Sequence, residues 1–241
     1  MKTLLILHGW GSCAKNWSRV KELLENQGYK IYLPDLPGFG QNSSLLKPWS
    51  LDDYVEWVKE YSEKQNLSQF FLLGHSFGGR VAIKFAIKYP KKLLGLILVS
   101  AGGAESSETL KNLEKRVLKS FSSLMKKFCF LPGYQFFRKF FYKFVIRKTD
   151  YLKAKGTLKE TFKKVIQENL IPYLNEIKTD TLIIWGKKDK LLPVREGILM
   201  HRKIANSKIE ILENIHHNPH LEEPEILVQK ILNSINYRVP R

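Results

Sequence analysis

The stretch FLLGHSFGG, residues 71–79, carries the strongest information about the fold. An apolar strand pattern, Gln69–Leu73, runs directly into a G-x-S-x-G turn around Ser76, and a helical pattern over Gly78–Tyr89 follows. In this context the serine stands on a sharp turn with its hydroxyl exposed, an arrangement called a nucleophile elbow. Glycines flank the serine because a Cβ there would clash with the turning backbone. We therefore predict that Ser76 is a nucleophile; the alternative is a glycine turn without chemistry.

Strand-like and helix-like segments alternate through most of the remaining chain. Several strand-like segments are almost uninterrupted in apolar character, as expected of strands buried on both faces of a parallel sheet. The predicted strands are Thr3–Leu7, Lys30–Leu33, Gln69–Leu73, Leu93–Ser100, Thr181–Trp185 and Lys208–Leu212. The predicted helices are Trp17–Asn26, Leu51–Gln65, Gly78–Tyr89, Val194–Ile204 and Glu223–Ile235. This alternation predicts an α/β fold with right-handed crossovers.

The alternation breaks between residues 105 and 177, where the pattern is helical and basic. Residues 105–170 hold 16 Lys or Arg and 6 Asp or Glu, so +10 of the formal net charge of +17 lies there. In GYQFFRKFFYKFVIRK, residues 133–148, aromatic and basic side chains fall mostly on opposite sides of a helical wheel. We expect an inserted helical cap, 105–177, on a core formed by 1–104 and 178–241. An alternative is a lid that makes weak contact with an anionic membrane surface.

Composition argues against several classes of function. Hydrophobic residues make up 44% of the chain and charged residues 26%, as is ordinary for a globular protein. No apolar stretch approaches the length that crosses a bilayer, and MKTLLIL at the start is interpreted as a buried strand rather than a signal peptide. The two cysteines, Cys13 and Cys129, indicate neither a disulfide framework nor a Cys-rich zinc site, which favours a cytoplasmic protein. The basic excess lacks a nucleic-acid recognition motif, so solvating lysines explain it best and no nucleic-acid partner is expected.

The segment NIHHNPHLEEPE, residues 214–225, packs three histidines into five positions. His216 and His220 are four apart, as in helical zinc sites, but Pro219 interrupts any helix that contains all three histidines. Carboxylate or thiolate ligands at zinc-site spacing are also missing, so no metal is expected. From the local sequence alone, a catalytic base and a solvated turn both stay open.

Nearly the whole chain resembles the α/β-hydrolase superfamily. The matching motifs are LLILHGWGS (4–12), YLPDLPGFG (32–40), the elbow, LIIWGKKDKLLP (182–193) and HHNPHLEEPE (216–225). The resemblance implies a catalytic triad of Ser76, Asp189 and His217, in the chain order given for this fold. It also implies an oxyanion hole formed by the backbone N–H groups of Trp10 and Phe77, with no cofactor.

Other polar residues near these motifs receive smaller roles. The resemblance gives Asp35 a structural role in shaping its loop. His216 is the alternative base if the turn is shifted by one residue. His8 and His75 are expected to be packed or hydrogen-bonded neighbours of the site. His220 and His201 are expected at the surface.

The N-terminal region departs from the family pattern. Members usually begin with an antiparallel hairpin, whereas this sequence starts with the strand that leads to HG. The prediction is therefore an α/β-hydrolase fold with six parallel strands flanked by helices, without the hairpin. The strand at Lys30–Leu33 becomes an edge strand, and Lys30 and Pro34 would discourage the addition of further strands.

The GHSxGG form and the NPHLEEP ending resemble small carboxylesterases. They imply a small-molecule ester substrate with a small to medium apolar or aromatic acyl group. The pocket is expected to include Trp10, Phe77, Phe137 and Phe141. Branches that hydrolyse carbon–carbon bonds in dienone acids tend to have Asn before the serine and Trp after the histidine. His75 and Asn218 occupy those positions here.

Three alternatives to ester hydrolysis stay open. Carbon–carbon bond hydrolysis is the runner-up, and lactones or thioesters are further possible substrates. A ligand-binding protein of this fold without turnover is the alternative from another class, since fold alone does not establish activity. The sequence does not determine the oligomeric state.

Overall fold

The computed structural model describes residues 2–42, 45–104 and 157–236. Six strands form one sheet in the order β2-β1-β3-β4-β5-β6, and every neighbouring pair is parallel. The strands are β1 (Thr3–Leu7), β2 (Lys30–Tyr32), β3 (Phe70–His75), β4 (Leu93–Val99), β5 (Thr181–Gly186) and β6 (Ser207–Leu212). The prediction of a six-stranded parallel sheet with the second strand at its edge is confirmed.

Seven α-helices accompany the sheet in the described ranges. They are α1 (Ser18–Glu25), α2 (Leu51–Lys64), α3 (Phe77–Lys88), α4 (Thr157–Gln167), α5 (Val194–Lys203), α6 (Pro219–Glu222) and α7 (Pro224–Asn236). Short 3-10 turns lie at Ala14–Trp17, Pro90–Lys92 and Ile171–Glu176. None of these helices is long and apolar enough to cross a membrane, within the ranges that the structure describes.

The sheet separates two apolar cores, and the alternation of side chains along β1 shows why. Leu5 and Leu7 pack into one core, whereas Leu4 and Ile6 pack into the other, and all four side chains are fully buried. Helices α2, α3, α4 and α5 cover the first core, and α1 and α7 cover the second. An unbroken apolar strand therefore follows from helices on both faces of the sheet.

The order of the strands determines where a site can form. The chain passes from β1 to β2 on one side of β1, then continues from β3 to β6 on the other side. In open α/β sheets, ligands bind outside the carboxyl ends of the strands at such a switch point. The loops that follow β1 and β3, together with those after β5 and β6, meet at this edge.

Part of the predicted cap lies within the described residues. Helix α4 packs on the first core through Phe162 and Val165, and Leu170 and Leu174 follow it into the same core. Residues 105–156, including Phe137 and Phe141, lie outside the described residues.

Arg80 ties α4 to α3. Its buried guanidinium donates hydrogen bonds from Nε to the carbonyl of Val165 at 3.0 Å and from Nη2 to those of Ile166 at 2.9 Å and Glu168 at 2.7 Å. The last carbonyls of a helix have no partners within the helix, so a cation there satisfies them. Lys84, one turn further along α3, also contacts the Glu168 carboxylate at 2.5 Å.

Replacing Arg80 by methionine is expected to lower the free energy of unfolding by about 3 kcal/mol, because several charge-assisted hydrogen bonds are lost together. Arg80→Lys should recover little of this, since one ammonium lacks the planar fork that spans three carbonyls. Urea denaturation measures both effects. Arg19→Met is the matched control, because Arg19 forms exposed ion pairs with Glu22 and Glu225, and exposed pairs contribute little to stability. Equal losses in Arg80→Met and Arg19→Met would contradict the anchoring role.

Candidate active site

Ser76 occupies a strained turn between β3 and α3. Its backbone has φ 52° and ψ −115°, outside the regions that a serine ordinarily adopts. Its carbonyl accepts hydrogen bonds from Gly79 N at 3.0 Å and Gly102 N at 2.9 Å, which hold the turn in place. A Cβ on Gly78 would collide with the carbonyl oxygen of Leu7, so glycine is required for α3 to pass this close to β1.

The structure brings Ser76, His217 and Asp189 into one hydrogen-bonded chain. Ser76 Oγ lies 3.0 Å from His217 Nε2, and His217 Nδ1 lies 2.7 Å from Asp189 Oδ2. In a neutral imidazole, Nδ1–H donates to the carboxylate, which leaves Nε2 free to accept the proton of the serine hydroxyl. The three residues that the sequence resemblance selected are therefore within reach of each other in the order that nucleophilic catalysis needs.

Asp189 is held rigidly for this contact. Its side chain is fully buried, and Oδ1 accepts hydrogen bonds from Leu191 N at 2.8 Å and Leu192 N at 2.9 Å. The loop that carries Asp189 is joined to the loop that carries His217, because Lys188 N donates to the carbonyl of Ile215 at 2.9 Å. The acid therefore has one oxygen fixed by its own loop and the other directed at the imidazole.

Glu222 organises the loop that carries His217. Its carboxylate accepts hydrogen bonds from His216 N at 2.9 Å and Asn218 N at 3.1 Å, and the His216 ring lies 2.9 Å from it. Burial raises the pKa of Glu222, but these hydrogen bonds outweigh it and leave the pKa below the usual value. The ring of His216 therefore faces Glu222 rather than Ser76. Sequence reasoning gave Glu222 no role, although its position in the first turn after the histidines is a recognisable signal.

His8 and His75 are buried and neutral beneath the site, as packed neighbours were predicted to be. His8 Nδ1–H donates to the carbonyl of Gly9 at 2.8 Å, and its Nε2 accepts from Leu36 N at 3.0 Å. His75 Nε2–H donates to the carbonyl of His217 at 2.9 Å. Removal from water lowers the pKa of both imidazoles.

His220 corrects a prediction. It was expected at the surface, but it is 3% exposed, and its ring stacks on Trp17 with centroids 4.2 Å apart and an interplanar angle of 4°. The first turn of α6 faces the 3-10 turn at Ala14–Trp17, and this contact buries the ring. His201 is exposed, as predicted. Within residues 2–42, 45–104 and 157–236, no group of three His, Cys, Asp or Glu side chains is placed to hold a metal ion.

The stability of the fold is expected to fall as the pH drops below about 6.5. Because burial lowers the pKa of His8 and His75 below the ordinary value of 6.5, the unfolded chain takes up protons before the folded one. The stability due to these neutral imidazoles is complete above about pH 6.5 and is lost as the pH falls toward their folded pKa values. Each histidine contributes at most about 1.4 kcal/mol per pH unit to the slope of the unfolding free energy against pH.

Urea denaturation at a series of pH values from neutral to mildly acidic measures this slope. Replacing His75 by glutamine should reduce the slope, since glutamine does not titrate. A stability that stays constant through the mildly acidic range would contradict the burial of neutral imidazoles.

Trp10 and Phe77 adjoin the nucleophile. The backbone passes close to Ser76 at Gly9, where an added Cβ would lie 3.3 Å from the Cβ of Ser76. The rings of Trp10 and Phe77 meet edge to face with centroids 5.1 Å apart. The rings of Phe39 and Phe162 also contact that of Trp10, with centroids 4.8 and 5.0 Å away. Sequence analysis did not select these last two aromatics, and they extend the apolar surface beside Ser76.

Asp35 fixes the loop that carries Trp10. Its Oδ1 accepts from Ala14 N at 2.6 Å, and its Oδ2 accepts from Gln41 N at 2.8 Å. One carboxylate therefore joins the loop after β1 to the loop after β2. This is the structural role expected of Asp35.

Comparisons with known proteins identify the fold family of the chain. A sequence model described as alpha/beta hydrolase fold matches residues 2–164. The chain is 26% identical over 253 residues to 2-hydroxy-6-oxononadienedioate/2-hydroxy-6-oxononatrienedioate hydrolase of Escherichia coli strain K12, with 96% of this chain and 86% of that protein covered. Two similar solved structures are a putative lipase from Acinetobacter baumannii AYE (TM-score 0.79, 26% identity, 99% of this chain and 85% of that one) and a membrane phospholipase A described as a bacterial virulence factor (TM-score 0.76, 26% identity, 98% and 79%). The matched residues make up more than half of the sequence, and the chain therefore belongs to the alpha/beta hydrolase fold family.

Proposed function

We propose that this protein is a serine hydrolase that cleaves carboxylic esters through an acyl-enzyme. The observation that carries the proposal is the chain of hydrogen-bond contacts from Ser76 Oγ through His217 to Asp189, at 3.0 and 2.7 Å. A serine hydroxyl is a weak nucleophile at neutral pH, and a base within hydrogen-bond reach is what activates it.

Acylation begins when Ser76 Oγ attacks the ester carbonyl carbon and its proton passes to His217 Nε2. Asp189 stabilises the imidazolium and keeps the ring in the required orientation. The backbone N–H groups of Trp10 and Phe77 donate to the oxyanion of the tetrahedral intermediate, and one such donor contributes about 3 kcal/mol. When the intermediate collapses, the C–O bond to the alcohol breaks and His217 gives its proton to the leaving oxygen.

Deacylation repeats these steps with water as the nucleophile. His217 takes one proton from the water as its oxygen attacks the acyl carbon, then returns that proton to Ser76 Oγ as the carboxylic acid leaves. The net reaction consumes one ester and one water and yields an acid and an alcohol. These steps need no metal or organic cofactor.

The aromatic residues beside Ser76 support an apolar or aromatic acyl group of small to medium size. Trp10, Phe39, Phe77 and Phe162 form one connected group of rings. Phe162 belongs to α4, which is part of the segment 105–177 that we propose as a cap. The similarity to a putative lipase and a phospholipase is consistent with apolar acyl groups.

Carbon–carbon bond hydrolysis of a dienone acid is the second candidate, and the similarity to the Escherichia coli hydrolase favours it. The two positions that distinguish that branch argue for the ester reaction here. His75 stands before the serine in place of Asn and directs its Nε2–H at the His217 carbonyl. Asn218 stands after the histidine in place of Trp, directly before α6, and its backbone N–H donates to Glu222.

A substrate panel separates these candidates. It would contain p-nitrophenyl esters of increasing acyl length, a lactone, a thioester and a 2-hydroxy-6-oxo-dienoic acid. We expect the highest kcat/KM on an ester. Faster cleavage of the dienoic acid than of every ester would support the second candidate, and no turnover of any substrate would favour a ligand-binding protein.

A further inference from the structure

His75, the residue directly before the nucleophile, forms a hydrogen bond to the backbone of His217. Its Nε2 lies 2.9 Å from the carbonyl oxygen of His217, and a carbonyl can only accept, so Nε2 carries the proton. We propose that His75 is a positioning residue that holds His217 in register with Ser76, an inference that rests on the proposed function. Because His75 and Ser76 are adjacent in the chain, this hydrogen bond links the segment that carries the nucleophile to the backbone of the base through the His75 side chain.

The His75 ring has no room to reorient. It is 3% exposed and lies among the rings of Trp17, His217 and His220, with centroids at 5.8, 5.1 and 4.6 Å. An added Cβ on Gly9 would lie 3.0 Å from its Nδ1, so the loop after β1 closes the remaining side. The donor therefore points at the His217 carbonyl in one fixed direction.

Glu222 holds the same turn through its N–H groups. It accepts from His216 N and Asn218 N, the two residues that flank His217, while His75 donates to the carbonyl of His217 itself. The main chain is thus held at three successive residues, His216, His217 and Asn218, of the loop that carries the base. The orientation in which Nδ1 of His217 faces Asp189 and Nε2 faces Ser76 is then fixed before the substrate reacts. Such fixed orientation is how positioning contributes to the rate.

Packing alone does not explain why a histidine stands at this position, because the imidazole carries an unsatisfied polar atom. Within the described part of the chain, Nδ1 of His75 is buried without a hydrogen-bond partner. A buried acceptor left unpaired destabilises the folded state, and an apolar ring of similar size would avoid the loss. A role for the Nε2–H donor accounts for the imidazole.

The test compares His75→Phe, which keeps a ring and removes the donor, with His75→Gln, whose amide N–H can reach the same carbonyl. His201→Gln is the control, because His201 is an exposed histidine away from the site. We expect His75→Phe to lower kcat for the best ester on the order of 100-fold with KM nearly unchanged, since a displaced base slows the chemical step more than binding. His75→Gln should recover most of kcat, and the control should match the unmodified protein. Wild-type kcat in His75→Phe, or no recovery in His75→Gln, would overturn the proposal.

A second variant and a second measurement cover the case in which His75→Phe does not fold. His75→Asn keeps a polar side chain but is too short to span the bond, and it should behave like the phenylalanine variant. The proton NMR signal of His217 Nδ1–H, hydrogen-bonded to Asp189, can be followed whether or not esters are turned over. We expect a sharp downfield signal in the wild type and His75→Gln that broadens or disappears in His75→Asn. An unchanged signal in His75→Asn would overturn the positioning role, whereas a wild type that shows the signal but hydrolyses no ester would refute only the proposed function.

Discussion

Ser76→Ala is expected to lower kcat for ester hydrolysis on the order of 10⁶-fold, because no other group can form the acyl-enzyme in its place. The fold should survive, since the hydrogen bonds that hold the turn involve the backbone of Ser76 rather than its hydroxyl. Steady-state kinetics on the best ester and a thermal unfolding curve would be measured on the same preparation.

Ser100→Ala is a matched control for this loss. Like Ser76, Ser100 is a serine with positive φ, at 41°, and it directly follows β4, which neighbours β3 in the sheet; its side chain is fully buried. Its hydroxyl has no hydrogen-bond partner within the described residues, so activity should stay close to that of the wild type. Ser76→Ala with activity comparable to Ser100→Ala would refute the assignment of the nucleophile.

Asp189→Asn is expected to lower kcat on the order of 10⁴-fold, because the substitution changes the tautomer of His217. Leu191 N and Leu192 N donate to one oxygen of Asp189, so asparagine should keep its carbonyl oxygen there and direct its NH₂ group at His217. Nδ1 of His217 would then accept a hydrogen bond, which places the ring proton on Nε2. A protonated Nε2 cannot take the proton of Ser76, although every heavy atom stays in place.

Measurements of kcat and a crystal structure of the variant would test this argument together. The control is Asp52→Asn, an exposed position on α2 where the carboxylate pairs with Lys84. The account requires a large loss of kcat with unchanged positions of His217 and Ser76. Near-normal turnover in Asp189→Asn would show that the carboxylate is not part of the relay.

The fold was predictable because its signals are local. The apolar run that leads into β3 and the glycines around Ser76 each follow from the backbone that those residues must adopt. Strand ends were less certain: the predicted strand Lys30–Leu33 ends at Tyr32 in the structure. The pairing of Asp189 with His217 came from family resemblance, since the polar loop around Asp189 has no distinctive local pattern.

Two contacts that were not predicted depend on partners far away in the sequence. His220 is a polar residue shortly before Glu222 and Glu223, which favours an exposed position, but Trp17 covers it. Arg80 would ordinarily be assigned to the surface of an amphipathic helix, whereas its partners are carbonyls at the end of α4. Such burial is decided by tertiary packing, which local periodicity does not contain.

The most direct measurement of the central claim, that His217 activates Ser76 as a nucleophile, is labelling with an alkyl phosphonofluoridate followed by mass spectrometry of the intact protein and its peptides. This reagent reacts with activated serines and does not depend on knowing the natural substrate. We predict one phosphonyl group per chain, located on Ser76, and no rapid labelling of His217→Ala. An unlabelled wild type, or label distributed over other residues at the same rate in both proteins, would contradict the account.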